Sequence, residues 1–346
     1  MRPGGCSARS GWPRPAAELA ERLAAPLRNG IPASRVGVGA GHWANVAEFL
    51  QWRFPHAGRW AARLAAGDVL NASGRPLTAH APCPPGLLIW YWRQPPPEAP
   101  IPFELDLLHQ DEWLVVVDKP HFLAVTPAGR HLQQTVLVRL QRQLRLPSLA
   151  PMHRLDQDTA GVLAFTVQPA TRDAYQRLLR ERLVHKVYEA VAPWRDDLVL
   201  PLTCQHRLEQ RPGAAFMQMQ VVDGQANAQT ELALIRRLPP SGPAASNAGP
   251  VELAHYRLTP HTGRKHQLRA QMNALGLPIV GDRIYPTLLP EPAPDTAADH
   301  SQPLQLLARE LRFTDPVTGA LRQFSSRRQL QAVVAAEGAA LNPPTG

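Results

Sequence analysis

Six consecutive residues, His153-Arg154-Leu155-Asp156-Gln157-Asp158, bring a histidine, an arginine and two carboxylates together before Thr159-Ala160-Gly161 breaks the run. Val162-Leu163-Ala164-Phe165-Thr166-Val167 follows at once. It is apolar, short and β-branched enough to be read as a buried strand. Charges set directly against a buried strand are costly unless they are paired or used. The segment is therefore either a solvated turn or a loop whose charges do chemistry. Two carboxylates suggest hydrolysis of a glycosidic bond, but Asp156 and Asp158 stand two residues apart in one turn. They can scarcely flank a sugar.

Two further stretches carry reactive side chains at ordered spacing. Lys186-Val187-Tyr188-Glu189-Ala190 alternates like a strand, with Lys186 and Tyr188 on one side. Thr262-Gly263-Arg264-Lys265-His266-Gln267-Leu268-Arg269 is read as opening a helix. Leu268, Met272 and Leu275 form its core stripe, and Lys265, Arg269 and Asn273 its polar one. A helix beginning at Thr262-Gly263-Arg264 offers free N–H groups and a guanidinium that suit a phosphate.

The elements needed to position these stretches divide the chain. Residues 1–35 read as a poorly ordered leader, with a short helix from Ala17 to Leu27. Residues 36–93 form a small module of two helices and a sheet, closed by Leu87–Trp92. Its arginines at 53, 59 and 63 suit either an RNA contact or a solvated face. The proline-rich stretch 94–102 is a linker, 103–330 a second domain, and 331–346 a tail whose last dozen residues are expected to be disordered. Within the second domain, Leu114–Val117 is a buried strand and Thr135–Leu144 a helix. Thr171 is expected to cap a helix with Tyr175, Leu178, Leu179 and Leu183 on its core face. Arg172, Arg177, Arg180 and Arg182 occupy its other face. Residues 203–235 read as antiparallel strands. The low-complexity loops 239–250 and 287–303 read as insertions.

Composition narrows the partners. The chain has 346 residues and a formal net charge of +9, and its lysines are only Lys119, Lys186 and Lys265. The excess is thus arginine, which forks phosphates and stacks on bases, so a nucleic acid partner is favoured. No apolar run approaches the ~18 residues of a membrane span. Three distant cysteines argue against a disulfide framework and a zinc site. No apolar signal region, nucleotide-binding motif or internal repeat is present, so a cytoplasmic protein without cofactor or metal is expected. A monomer is the simplest expectation.

Taken together, His153–Gly161, Lys186–Ala190 and Thr262–Arg269 with Pro278-Ile279-Val280-Gly281-Asp282 resemble three motifs of the RluA-type pseudouridine synthases. These are H-R-L-D-x-x-T-S-G, K-x-Y-x-A, and T-G-R-x-H-Q-[IL]-R followed by P-I-x-G-D. Val117-Asp118-Lys119-Pro120 and Ala226–Thr230 are weaker matches in the same order, so the resemblance covers residues 105–325. Two positions depart from the pattern. Ala160 replaces a serine, and Gln271 stands where the family has a histidine, removing a backbone or RNA contact.

The resemblance implies an α+β catalytic domain, a mixed, mainly antiparallel sheet flanked by helices. Residues 36–93 would correspond to an S4-type RNA-binding module. The implied activity breaks the N1–C1′ bond of a uridine in ribosomal or transfer RNA, turns the base and rejoins it through C5. No cofactor is needed, and neither DNA nor a membrane is an expected partner. Asp156 is implied as the catalytic carboxylate, with Arg269 as its cationic partner and Tyr188 against the uracil. Asp158 is expected to bond nearby backbone N–H groups. Arg154 would enter the stack left by the flipped base, and His153 would orient the loop. Thr262 and Arg264 would hold phosphate, and Lys119 is a further RNA-binding candidate. The competing reading is an RNA-binding protein that keeps the fold without activity.

Overall fold

Strands that are apolar on both faces require a packed layer on each side. A computed structural model of the chain describes residues 25–28, 31–55, 59–93, 98, 100–129, 131–213, 217–239, 252–290 and 299–341. The chain divides into two compact units, Met1–Pro97 and Glu98–Gly346. The expected leader lies largely outside the described residues, as do most of the linker and the 239–250 loop.

In the first unit, β1 (Leu27–Arg28) and β2 (Ile31–Pro32) pair as a short hairpin. They are followed by β3 (Ser34–Gly37), the helices α1 (Val46–Arg53) and α2 (Trp60–Ala65), and the strands β4 (Val69–Asn71) and β5 (Leu88–Tyr91). The sheet order is β3-β5-β4, all antiparallel. Asn45 caps α1 by accepting from the Glu48 N–H at 2.9 Å. Val46, Phe49, Leu50, Trp60, Leu64 and Ile89 form the core. Arg63, one of the three arginines read as surface charge, is buried instead. It lies 4.0 Å from the Trp60 ring centre and donates to the Trp92 carbonyl.

The second unit holds an 11-stranded sheet. Its strands are β6 (Asp106–Gln110), β7 (Leu114–Lys119), β8 (Ala150–Pro151), β9 (Ala160–Thr166), β10 (His185–Pro193), β11 (Leu202–Gln210), β12 (Met219–Val222), β13 (Ala228–Leu238), β14 (Leu253–Pro260), β15 (Leu306–Thr314) and β16 (Leu321–Ser325). The order is β12-β11-β13-β14-β10-β15-β9-β7-β6, with β16 on β15 and β8 on β9. Only β9 and β15 run parallel. The helices are α3 (Val136–Leu144), α4 (Arg172–Arg180), α5 (Gln267–Ala274) and α6 (Gln331–Leu341). This is the mixed, mainly antiparallel α+β architecture expected.

Strand alternation assigns the helices to their layers. Val115, Val117, Leu163 and Phe165 pack with Val136 and Leu140 of α3. Their alternates Leu114, Val116, Val162 and Ala164 pack with Tyr175 and Leu178 of α4. Likewise Ala190 and Ala192 meet Leu268 and Met272 of α5, whereas Val191 meets Val333 and Ala336 of α6.

Three local expectations are corrected. The tail includes α6, which runs into the last dozen residues and is apolar enough to bury Val333 and Ala336 against the sheet. Thr171 does not cap α4, because it already sits in a 3₁₀ turn and donates its hydroxyl to the Gln168 carbonyl at 3.1 Å. Leu183 is exposed rather than core, since Arg182 takes a left-handed conformation and turns the chain out of the helix.

The seam between β9 and β15 consists of two residue pairs, Ala160–Leu307 and Gly161–Ala308. On its other edge, Ala308 pairs with Tyr188 of β10. Gly161 has φ +112°, and a Cβ there would stand 2.2 Å from the Ala308 carbonyl oxygen. No side chain fits at that approach. Gly161→Ala is therefore expected to destabilise the protein by about 3 kcal/mol or more. Chemical denaturation reads this, and a loss below ~1 kcal/mol would mean that the seam relaxes freely.

Candidate active site

Asp156 lies in the loop joining β8 to β9. Four polar contacts shape that loop. The Thr159 N–H donates to the Asp156 carbonyl at 3.2 Å, closing the turn. The Ala164 N–H donates to His153 Nε2 at 3.3 Å. Lys119, at the end of β7, donates to the Gln157 carbonyl at 2.8 Å, and His121 Nδ1 meets the Asp158 carbonyl at 2.6 Å. Burial pulls the His121 ring down to about 4, so it stays neutral and donates.

The Asp156 carboxylate faces a cavity of about 920 Å³. Arg269 Nη1 reaches its Oδ2 at 3.2 Å, and His266 Nε2 stands 3.8 Å from the same oxygen. The side chain of Arg269 is 2% exposed and that of Asp282 is fully buried. Asp282 grips the guanidinium with two bonds, at 2.8 Å to Nε and 2.6 Å to Nη2. Asp282 Oδ1 also accepts from the Ile284 N–H at 2.8 Å and the Tyr285 N–H at 3.1 Å. Burial alone would lower the Arg269 pKa. The Asp282 bonds and charge, joined by Asp156 and Asp158, reverse this and hold it above its usual range. Burial pushes the Asp158 carboxyl up, with Arg269 and Lys119 pulling against it. The expected bonding of Asp158 is thus replaced by a role for its backbone carbonyl and by the charges around it.

Tyr188 is half-buried on β10 and packs against the cores under both α3 and α5. Burial and then the Asp156 charge raise its hydroxyl well above the ordinary tyrosine range, so it remains a phenol. His153 is pulled down to about 3, by burial first and then by Lys186, and stays neutral. Arg154 is exposed and lines the cavity.

The helix of the third motif begins at Gln267, not at Thr262. The Thr262 hydroxyl accepts from the Gln229 N–H at 2.9 Å and donates to Gln267 Oε1 at 2.8 Å. The Arg264 N–H donates to that same oxygen at 3.1 Å. The Thr262 hydroxyl and the Arg264 N–H are therefore committed to shaping the loop, while the exposed Arg264 side chain lines the cavity wall.

Two other positions differ from expectation. Lys119 is fully buried, and its ammonium donates to the Pro120, Leu123 and Gln157 carbonyls at 2.8–2.9 Å. It braces the Asp156 loop from within, its ammonium spent on those three carbonyls. Gln271 is also buried, accepting from the Thr230 hydroxyl at 2.6 Å and donating to the Cys204 carbonyl at 3.3 Å. It knits α5 to the sheet rather than losing a contact there. Asp282, His266 and Lys186 are site residues that no role was assigned to from sequence, although all three stand inside the quoted motifs.

Charge on the cavity wall is one-sided. Arg154, Arg180, Arg182, Lys186, Arg264, Lys265 and Arg269 line it, against the single carboxylate of Asp156. Such a cavity attracts an anionic polymer and presents one carboxylate to it.

Comparison with known proteins agrees with this geometry. The family described as RNA pseudouridylate synthase matches residues 113–274. An uncharacterised RNA pseudouridine synthase of Synechocystis sp. is 30% identical over 69% of this chain and 79% of the relative. The dual-specificity RNA pseudouridine synthase RluA of Haemophilus influenzae is 32% identical over 64% of this chain and 93% of its own. In fold, the human RNA pseudouridylate synthase domain containing 1 aligns with a TM-score of 0.51 at 21% identity, covering 71% of this chain and 98% of that one. The chain belongs to the RluA-type family of RNA pseudouridine synthases. No helix among the described residues is long and apolar enough to cross a membrane.

Two predictions follow from the charges around Asp156. Asp282→Asn leaves a buried guanidinium half-paired and is expected to cost about 3–5 kcal/mol in denaturant unfolding. A loss under ~1 kcal/mol would show that Asp156 alone holds Arg269. Burial brings the Lys119 ammonium down to about 7 from 10.5, against the pull of Asp158 and Asp156. Within that window the unfolded chain keeps a proton that the folded one releases, so stability rises from about pH 7 to 10.5 and the penalty is full below it. Lys119→Met should flatten this rise; an unchanged pH profile of unfolding would show that Lys119 stays charged.

Proposed function

We propose that the protein isomerises particular uridines of ribosomal or transfer RNA, with Asp156 as the catalytic carboxylate. The observation that carries this reading is a carboxylate bonded to a buried, doubly gripped arginine in a cavity otherwise lined by cations. Arg269 holds the Asp156 carboxylate in place at 3.2 Å, facing the cavity into which the ribose would come. From there the carboxylate attacks C1′ as a nucleophile or takes a ribose proton in a glycal route. Either way the N1–C1′ bond breaks and the base turns; C5 then bonds to C1′, displacing the Asp156 oxygen in the first route or with the proton returned to the ribose in the second, and the C5 proton leaves as N1 takes one up.

Tyr188, kept as a phenol, lies against the uracil as a stacking surface rather than as a base. Arg154, exposed beside Asp156, takes the space vacated by the flipped uridine. His153, neutral and bonded to the Ala164 N–H, orients the loop. Thr262 shapes the opposite wall, from which the Arg264 guanidinium reaches phosphate. The first unit, with two helices followed by strands, is read as an S4-like RNA-binding module. RNA is the partner, met by a cytoplasmic monomer.

Incubation with total RNA from a strain lacking the protein, followed by pseudouridine mapping, tests this. A folded Asp156→Asn variant is expected to lose at least about 10³-fold in rate. Undiminished modification would remove Asp156 from the chemistry. RNA binding by the wild type without any new pseudouridine would favour the inactive binder.

A further inference from the structure

Lys186 is a charged residue of the cavity wall that the mechanism leaves unused, and it stands on the same strand as Tyr188. It lies two residues before Tyr188 on β10, with an irregularity of register between Val187 and Tyr188, and both side chains line the cavity. Several cations nearby are engaged. Arg269 holds two carboxylates, Lys119 three carbonyls, and Arg180 lies 3.0 Å from Asp173. Among the described residues no carboxylate partners Lys186, and burial lowers its pKa with no neighbouring acid opposing the shift. Asp156 shares the cavity but is already bonded to Arg269.

Lys186 is half-buried, and an ammonium partly withdrawn from water without a counter-charge carries a cost in the free protein. That cost is relieved when an anion arrives. Uracil and ribose are neutral, so the anions that an RNA strand brings are its phosphates. Arg180 ends α4 and Arg182 lies on the connection from it to β10, and both line the same cavity as Lys186. One stretch of chain thus brings three cations to that cavity.

We propose that Lys186 binds a backbone phosphate next to the flipped uridine, seating the nucleotide between Asp156 and Tyr188. This rests on the synthase reading and adds to it a residue that holds the strand without entering the bond changes.

The test compares wild type, Lys186→Gln and Lys186→Arg, titrating total RNA from a strain lacking the protein and following pseudouridine formation at the modified site. In Lys186→Gln, KM is expected to rise about 10-fold while kcat stays within about 2-fold. The slope of log(kcat/KM) against log[salt] should become shallower by about one. Lys186→Arg should restore both. Lys186→Gln should also be at least as stable as wild type, because it removes an uncompensated cation; a structural lysine would lose stability instead. Unchanged KM and salt slope, or a fall in kcat alone, would overturn the assignment. If wild-type protein modified no RNA, the synthase reading itself would fail, and that result is distinct from an active wild type indifferent to Lys186.

Discussion

Asp282 gripping Arg269, which in turn reaches Asp156, is the interaction on which the site depends. A guanidinium has a fixed fork, so two bonds from a fully buried carboxylate determine where its third nitrogen points. That nitrogen meets Asp156. Asp282 is itself oriented by the Ile284 and Tyr285 N–H groups, so the direction of the charge pair is traceable to backbone. Buried pairs of this kind add little net stability, but breaking one leaves an uncompensated charge. Their value here is placement, since the pair fixes the Asp156 carboxylate facing a cavity lined by cations.

The sheet serves the same end. Ala308 on β15 stands between Gly161, where the Asp156 loop ends, and Tyr188 on β10. One residue of one strand thus sets the loop and the aromatic side chain relative to each other. The absent Cβ at Gly161 lets the backbones close. Lys119 and His121 brace the loop from β7, using bonds to its carbonyls. Loops held this way lose little entropy on binding substrate, because their geometry is set beforehand.

Much of the site was legible because its chemistry is local. His153–Gly161, Lys186–Ala190 and Thr262–Arg269 each carry their residues within one loop, strand or helix start, and local spacing reports which side chains share a face. The strands of the catalytic unit and the helices α3 and α4 follow apolar periodicity. Errors came where a polar type was read as surface. Lys119, Arg63 and Gln271 are buried, and each is satisfied by carbonyls, a hydroxyl or an aromatic face supplied from distant chain. Residue type predicts exposure on average, while its exceptions depend on partners that periodicity does not reveal.

Sequence by itself determined the order of elements, the α+β class and the three motifs that mark the family, since these rest on local pattern and residue identity. Tertiary structure decided which charges meet. Asp282 and Asp156 are 126 residues apart in the chain and share one guanidinium only because β9, β10 and β15 converge beside α5. It also decided that Lys119 braces from within while Lys186 lines the cavity wall with no carboxylate partner among the described residues, although the two lysines look alike in sequence. The physical reason is that the energy of a charge is set by the partners and solvent around it, and the fold alone supplies both.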